Sequence, residues 1–127
     1  MSKNNENQPI TLPIYLGSLT TNNTVIPAMH LPKKSKIVGV RIMNGATHAA
    51  SDSNYFGLLL KKASTTIAEM DSRAAHEDGV VANVSKALNI VSGQETQDAG
   101  SDLTLTYTET GTVALTDAVL LLTYFPV

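Results

Sequence analysis

Ser101-Asp102-Leu103-Thr104-Leu105-Thr106-Tyr107-Thr108-Glu109-Thr110 is the stretch that decides the fold class of this 127-residue chain. Leu103, Leu105 and Tyr107 fall on one side of an extended backbone; Thr104, Thr106 and Thr108 fall on the other. A period of two is the signature of a strand, and β-branched threonine suits a pleated, half-exposed face. The alternation predicts one side in a core and one side facing out. That pattern belongs to antiparallel sheets, because parallel sheets are covered on both faces and lose the alternation.

Working outward, Gly111 turns the chain and the nearly unbroken apolar run Val119-Leu120-Leu121-Leu122-Thr123-Tyr124-Phe125 follows. A run of this length also fits a short helix, but its β-branched and aromatic ends, with Pro126 directly after, favour a central strand buried on both faces. Toward the N-terminus, Ser35 to Asn44 is the clearest strand, with Val38, Val40 and Ile42 on one face and Gly39, Arg41 and Met43 on the other. Asn44-Gly45 ends it with a strong turn signal. Asn54 to Lys62 sets Phe56, Leu58 and Leu60 against Tyr55, Gly57, Leu59 and Lys61. Thr65 to Arg73 sets Ile67 and Glu69 against Ala68 and Met70. Ile10, Leu12, Ile14 and Leu16 alternate with polar or proline positions, and Pro13, lacking an N–H, predicts an edge strand. Gly17 to Asn23 reads as a turn, Thr24 to Leu31 as an extended piece flanked by prolines, and Ala87 to Val91 as a short strand. Residues 72–86 read as a long loop with one turn of helix at Ala74 to Glu77, and residues 1–9 as a flexible polar arm. The reading is an all-β chain of about eight strands: an antiparallel β-sandwich over residues 10–127, with the jelly roll as the leading topology.

Composition narrows the function. The chain has no cysteine, which removes disulfides, thiolate metal sites and thiol nucleophiles together. Nine basic against eleven acidic residues give a net charge of −2, so no electrostatic footprint for nucleic acid exists at the level of the whole chain. No segment reaches the roughly 18 apolar residues of a membrane span. The N-terminus lacks an apolar secretory core, so no secretory signal is expected and synthesis in the cytoplasm of the producing cell is predicted. Charged residues make up only 16%, against about 25% in ordinary domains. In their place stand 15 Thr, 10 Ser and 9 Asn.

Chemistry-bearing patterns are missing. Neither Gly-x-Ser-x-Gly nor Ser-x-x-Lys occurs, nor a glycine-rich phosphate loop. His48 and Asp52 have metal-ligand spacing only on a helix, and residues 46–53 do not read as one. His76-Glu77-Asp78 reads as a solvated loop cluster and His30, between Met29 and Leu31, as a strand residue at a surface or subunit contact. Carboxylate pairs such as Asp98/Asp102 and Glu69/Asp71 have no aromatic sugar platform beside them, and a catalytic role is not expected of them. The expectation is a non-enzymatic protein without metal or cofactor. Lys33-Lys34-Ser35-Lys36 is the densest basic cluster; it suits either a solvated strand end that blocks edge aggregation or a contact with an acidic partner surface.

One segment resembles a known family. In Val38-Gly39-Val40-Arg41-Ile42-Met43-Asn44-Gly45-Ala46-Thr47-His48-Ala49-Ala50-Ser51-Asp52-Ser53-Asn54-Tyr55-Phe56 a strand ends in Asn-Gly, a small-residue loop follows, and Ala-Ser-Asp-Ser-Asn-Tyr opens the next strand. This resembles the small β-sandwich cement, or head-decoration, proteins of tailed bacteriophages, and Asp102-Leu103-Thr104-Leu105-Thr106-Tyr107 continues the likeness. The resemblance implies a structural virion protein on the capsid exterior that binds the major capsid protein, bridges neighbouring subunits and forms a homo-oligomer, a trimer by preference. It carries over no catalytic residue. Ile10, Leu12, Ile14, Lys33, Lys34 and Lys36 are the candidate capsid or subunit contacts. The same pattern also occurs in phage fibre and spike heads, which makes a receptor- or glycan-binding β-domain the alternative.

Overall fold

The structure is a computed structural model that describes residues 8–73 and 79–127. Every regular element among the described residues is a strand: β1 (Ile10–Leu19), β2 (Thr24–Leu31), β3 (Ser35–Met43), β4 (Tyr55–Lys62), β5 (Thr65–Asp71), β6 (Lys86–Ala87), β7 (Asn89–Ile90), β8 (Thr96–Gln97), β9 (Ser101–Thr110) and β10 (Leu115–Pro126). They form two five-stranded antiparallel sheets, one in the order β1-β10-β3-β6 with β8 also on β3, the other in the order β2-β9-β4-β5-β7. The pairs are nested: β1 with β10, β2 with β9, β3 with β6, β4 with β5. A long antiparallel hairpin rolled up on itself has this order, which is the jelly roll. One hydrophobic cluster lies between the sheets, with Phe56, Leu58, Leu60, Leu103, Leu105, Tyr107, Leu120 and Leu122 among its fully buried members.

The long strands fall where the alternation placed them, and the deciding stretch is the central strand β9, with Leu103, Leu105 and Tyr107 inside. Four details differ. Val38 does not share the inner face of Val40 and Ile42: the β3–β10 register slips beside it, leaving it 43% exposed. Ile67 is buried beside Ala68 instead of facing out with Glu69, through a similar slip against β4. Bulges carry β1 past Tyr15 through Gly17, at φ 74°, to a buried Leu19, so the strand extends into the expected turn. The expected single strand over Ala87 to Val91 is two short ones on different sheets. Lys86–Ala87 pairs with β3, Asn89–Ile90 pairs with β5, and Leu88 is buried at the crossing. The helical turn expected at Ala74 to Glu77 and most of the expected arm lie outside the described residues.

Two of the five prolines, Pro13 and Pro27, sit mid-strand where a missing N–H predicts. Pro13 is on β1 and Pro27 on β2, and each strand pairs on one side only. Proline on such an edge discourages pairing with another chain's edge.

Candidate functional site: the outer face of the β1–β10–β3 sheet

β10 departs most informatively from expectation. It is central, between β1 and β3. Ala118, Leu120 and Leu122 on its inner side are fully buried. Val119, Leu121 and Phe125 on its outer side are only half-buried, shielded by neighbours in the same sheet. The run written for burial on both faces is covered on one, because a two-layer sandwich supplies no third layer.

The register maps what surrounds these residues. Tyr15, Val119 and Met43 lie in one row across the three strands; Pro13, Leu121 and Arg41 form the next; Thr11, Thr123 and Gly39 the next. Phe125 pairs with Lys36 beyond them. Tyr15 is 69% exposed. Its hydroxyl donates to Asp117 Oδ1 at 3.2 Å, and this hydrogen bond, with the carboxylate's charge, holds the phenol above its ordinary pKa. Arg41 is tied down at the margin, Nε donating to Ser85 Oγ at 2.7 Å and Nη2 to Ser85 O at 3.0 Å. Apolar centre and polar margin together match the anatomy of a protein–protein interface.

The lysine cluster borders this face. Lys33 and Lys34 are exposed in the turn between β2 and β3, and Lys36 is exposed on the outer side of β3. The turn is held by Ser35 Oγ donating to Lys33 O at 2.8 Å and Val127 N donating to Lys34 O at 2.9 Å. Of the apolar candidates, Ile10 is 47% exposed at the start of β1. Leu12 and Ile14 pair with the fully buried Leu122 and Leu120 and so lie on the inner side, where Ile14 packs on the core. The outward residues of this strand are Thr11, Pro13 and Tyr15. They, with Val119, Leu121 and Met43, are what reading the sequence missed. The signal was present in the second apolar face of β10, which was assigned to the chain's own interior.

His48 and His30 take structural positions. His48 bridges to Val80 through backbone hydrogen bonds of 2.9 Å in both directions, and its ring lies 5.5 Å from that of Phe56. His30 Nδ1 meets Asp102 Oδ1 at 2.6 Å on the exposed edge of the second sheet. His76 lies outside the described residues. No group of three or more His, Asp or Glu able to hold a metal occurs among the described residues.

No protein-family model matches the chain, and no curated protein does. Among solved structures, a chain of the cyanophage Pam1 capsid asymmetric unit is similar over 94% of this chain and 86% of its own length, at 11% identity and a TM-score of 0.49. Chains of infectious bursal disease virus, Gt and Gx strains, are similar over 94% and 96% of this chain and 37% of their own, at 13% and 14% identity and a TM-score of 0.32 each.

Proposed function

We propose that this protein is a non-enzymatic structural component of a bacteriophage virion. In this reading it docks on the exterior of the assembled capsid, contacts the major capsid protein, and stabilises the shell by bridging neighbouring subunits. The observation that carries it is the outer side of β10: apolar residues in the middle of a sheet, with no layer of the described residues over them. An apolar face of this kind marks an interaction site. The likeness of residues 38–56 to head-decoration proteins supplies the kind of partner. Ile10 at the head of β1, with Lys33, Lys34 and Lys36, extends the contact, the lysines toward an acidic patch on the shell. Attachment through several copies, a trimer in this reading, multiplies a modest single contact by effective concentration.

Co-sedimentation with purified, expanded shells lacking this protein tests the reading. Wild type is expected to pellet with the shells and raise their disruption temperature. Leu121→Lys is expected to abolish co-sedimentation while keeping the wild-type circular dichroism. Reversing Lys33, Lys34 and Lys36 to Glu is expected to weaken it in a salt-dependent way. Wild type that fails to pellet with any such shell would overturn the reading.

A further inference from the structure

The outer face of the opposite sheet carries a second feature, independent of the capsid reading. Gly57 is the third residue of β4, and the pairing of β4 with β9 runs without a slip from Tyr55 to Lys62. Its φ is not in the left-handed region. Neither a bulge nor backbone conformation therefore requires a glycine there. A glycine inside a strand costs about 0.5–1 kcal/mol relative to alanine, and in such a position marks a place where something approaches the backbone closely. A Cβ at Gly57 would sit 2.9 Å from Thr108 Oγ1. Thr108 is thus the close neighbour that Gly57 admits, and beside the two lies a depression of about 450 Å³, within the roughly 300–1,000 Å³ range of small-ligand sites.

Gly57 and Leu59 line its apolar floor, Thr108 one wall, and Glu69, Asp71 and Asn89 the other. Arg73 closes one end. Its guanidinium lies 5.0 Å above the Tyr55 ring and donates to Asp71 Oδ2 at 2.8 Å. Arg73 and Asp71 hold each other in place before any ligand arrives, which lowers the cost of ordering them on binding.

The chemistry narrows the ligand. Two carboxylates against one guanidinium disfavour an anion. One of those carboxylates is already engaged by Arg73, too few for a metal or a dedicated ammonium site. The Tyr55 face is occupied by Arg73, so a planar heteroaromatic has no platform on which to stack. What fits is a ring with an apolar C–H face for Gly57 and Leu59 and vicinal hydroxyls for carboxylate, amide and threonine. We propose that this depression binds a neutral pyranose sugar.

The test is an NMR titration of the ¹⁵N-labelled protein with the methyl glycosides of glucose, galactose, mannose and N-acetylglucosamine, carried to about tenfold above a millimolar Kd. Saturable shifts are expected for at least one sugar, confined to the amides around Gly57, Leu59, Glu69, Asn89 and Thr108. Glu69→Ala and Asn89→Ala, both at exposed positions, are expected to weaken that binding about tenfold or more, the loss of one hydrogen bond to the ligand, with the fold kept as read by circular dichroism. Gly57→Val is expected to abolish it; should that variant fail to fold, the two rim variants still decide. Inorganic phosphate and methylammonium are the controls and are expected to leave these amides unmoved. The proposal is overturned by no saturable shift with any of the four sugars, by shifts centred elsewhere, by binding that survives both rim variants, or by either control ion binding in their place.

Discussion

Asn44 uses its whole amide in the interior. It is 1% exposed, Nδ2 donates to Ala46 O at 2.7 Å, and Oδ1 accepts from Thr116 N at 2.7 Å. Gly45 N donates to Thr116 O at 2.8 Å beside it, where a Cβ on Gly45 would come within 2.9 Å of that oxygen. Asn-Gly was legible as a turn; the clip it makes with Thr116 was not, because the partner lies 72 positions along the chain. Asn44→Ala leaves the Thr116 N–H without its acceptor, and a loss of about 1–3 kcal/mol is expected, read as a lower urea midpoint at unchanged slope. Tyr107 gives a second expectation. Its ring is fully buried and its hydroxyl donates to Glu109 Oε1 at 3.0 Å. Burial first, and the carboxylate second, push its pKa far above the ordinary tyrosine value. The folded state therefore holds this proton more tightly than the unfolded state. That stabilisation is complete below about pH 10, the unfolded value, and is lost as pH rises further. Urea midpoints are expected to fall above about pH 10, and to fall less in Tyr107→Phe, while phenolate absorbance from Tyr107 should appear only with unfolding.

Within β10, adjacent leucines have opposite roles. Leu120 is fully buried in the core; Leu121 is half-buried on the outer side. Leu120→Ala is expected to cost about 2–5 kcal/mol through the cavity it leaves. Leu121→Lys is expected to cost less than about 1 kcal/mol, and thermal melts of the two variants side by side check the contrast. The deciding stretch of β9 was fully legible, since its threonines and apolar residues separate cleanly onto two faces. Where faces do not separate cleanly, periodicity misled. Val38 and Ile67 each sit beside a register slip, and a slip of one residue turns a side chain to the other face. Threonine on the outer side of β9 also accounts for part of the low charge content, as ordinary sheet chemistry. Uncharged polar groups cost less to desolvate than ions, which fits the rest to surfaces that pack against other chains.

For the whole molecule, the nested pairing sets both the folding problem and the available surfaces. β1 can form its ladder only with β10, from the other end of the sequence, and β2 only with β9. Such non-local closure is slow, and refolding is expected in the millisecond-to-second range of all-β domains, not in microseconds. Stopped-flow tyrosine fluorescence can follow it, since the chain has no tryptophan. By itself, the sequence determined where the long strands lie, which strands are edges, and that no familiar catalytic motif is present. These are local properties, set by side-chain alternation, proline's missing donor and residue spacing. Only the tertiary structure decided that Ala87 to Val91 crosses between sheets, that Leu12 and Ile14 turn inward, and that Gly57, Glu69, Asn89 and Thr108 line one depression. It alone decided that no layer of the described residues covers the second apolar face of β10. Alternation records that a side chain wants a layer against it, but which layers exist is settled by pairing between strands more than a hundred residues apart.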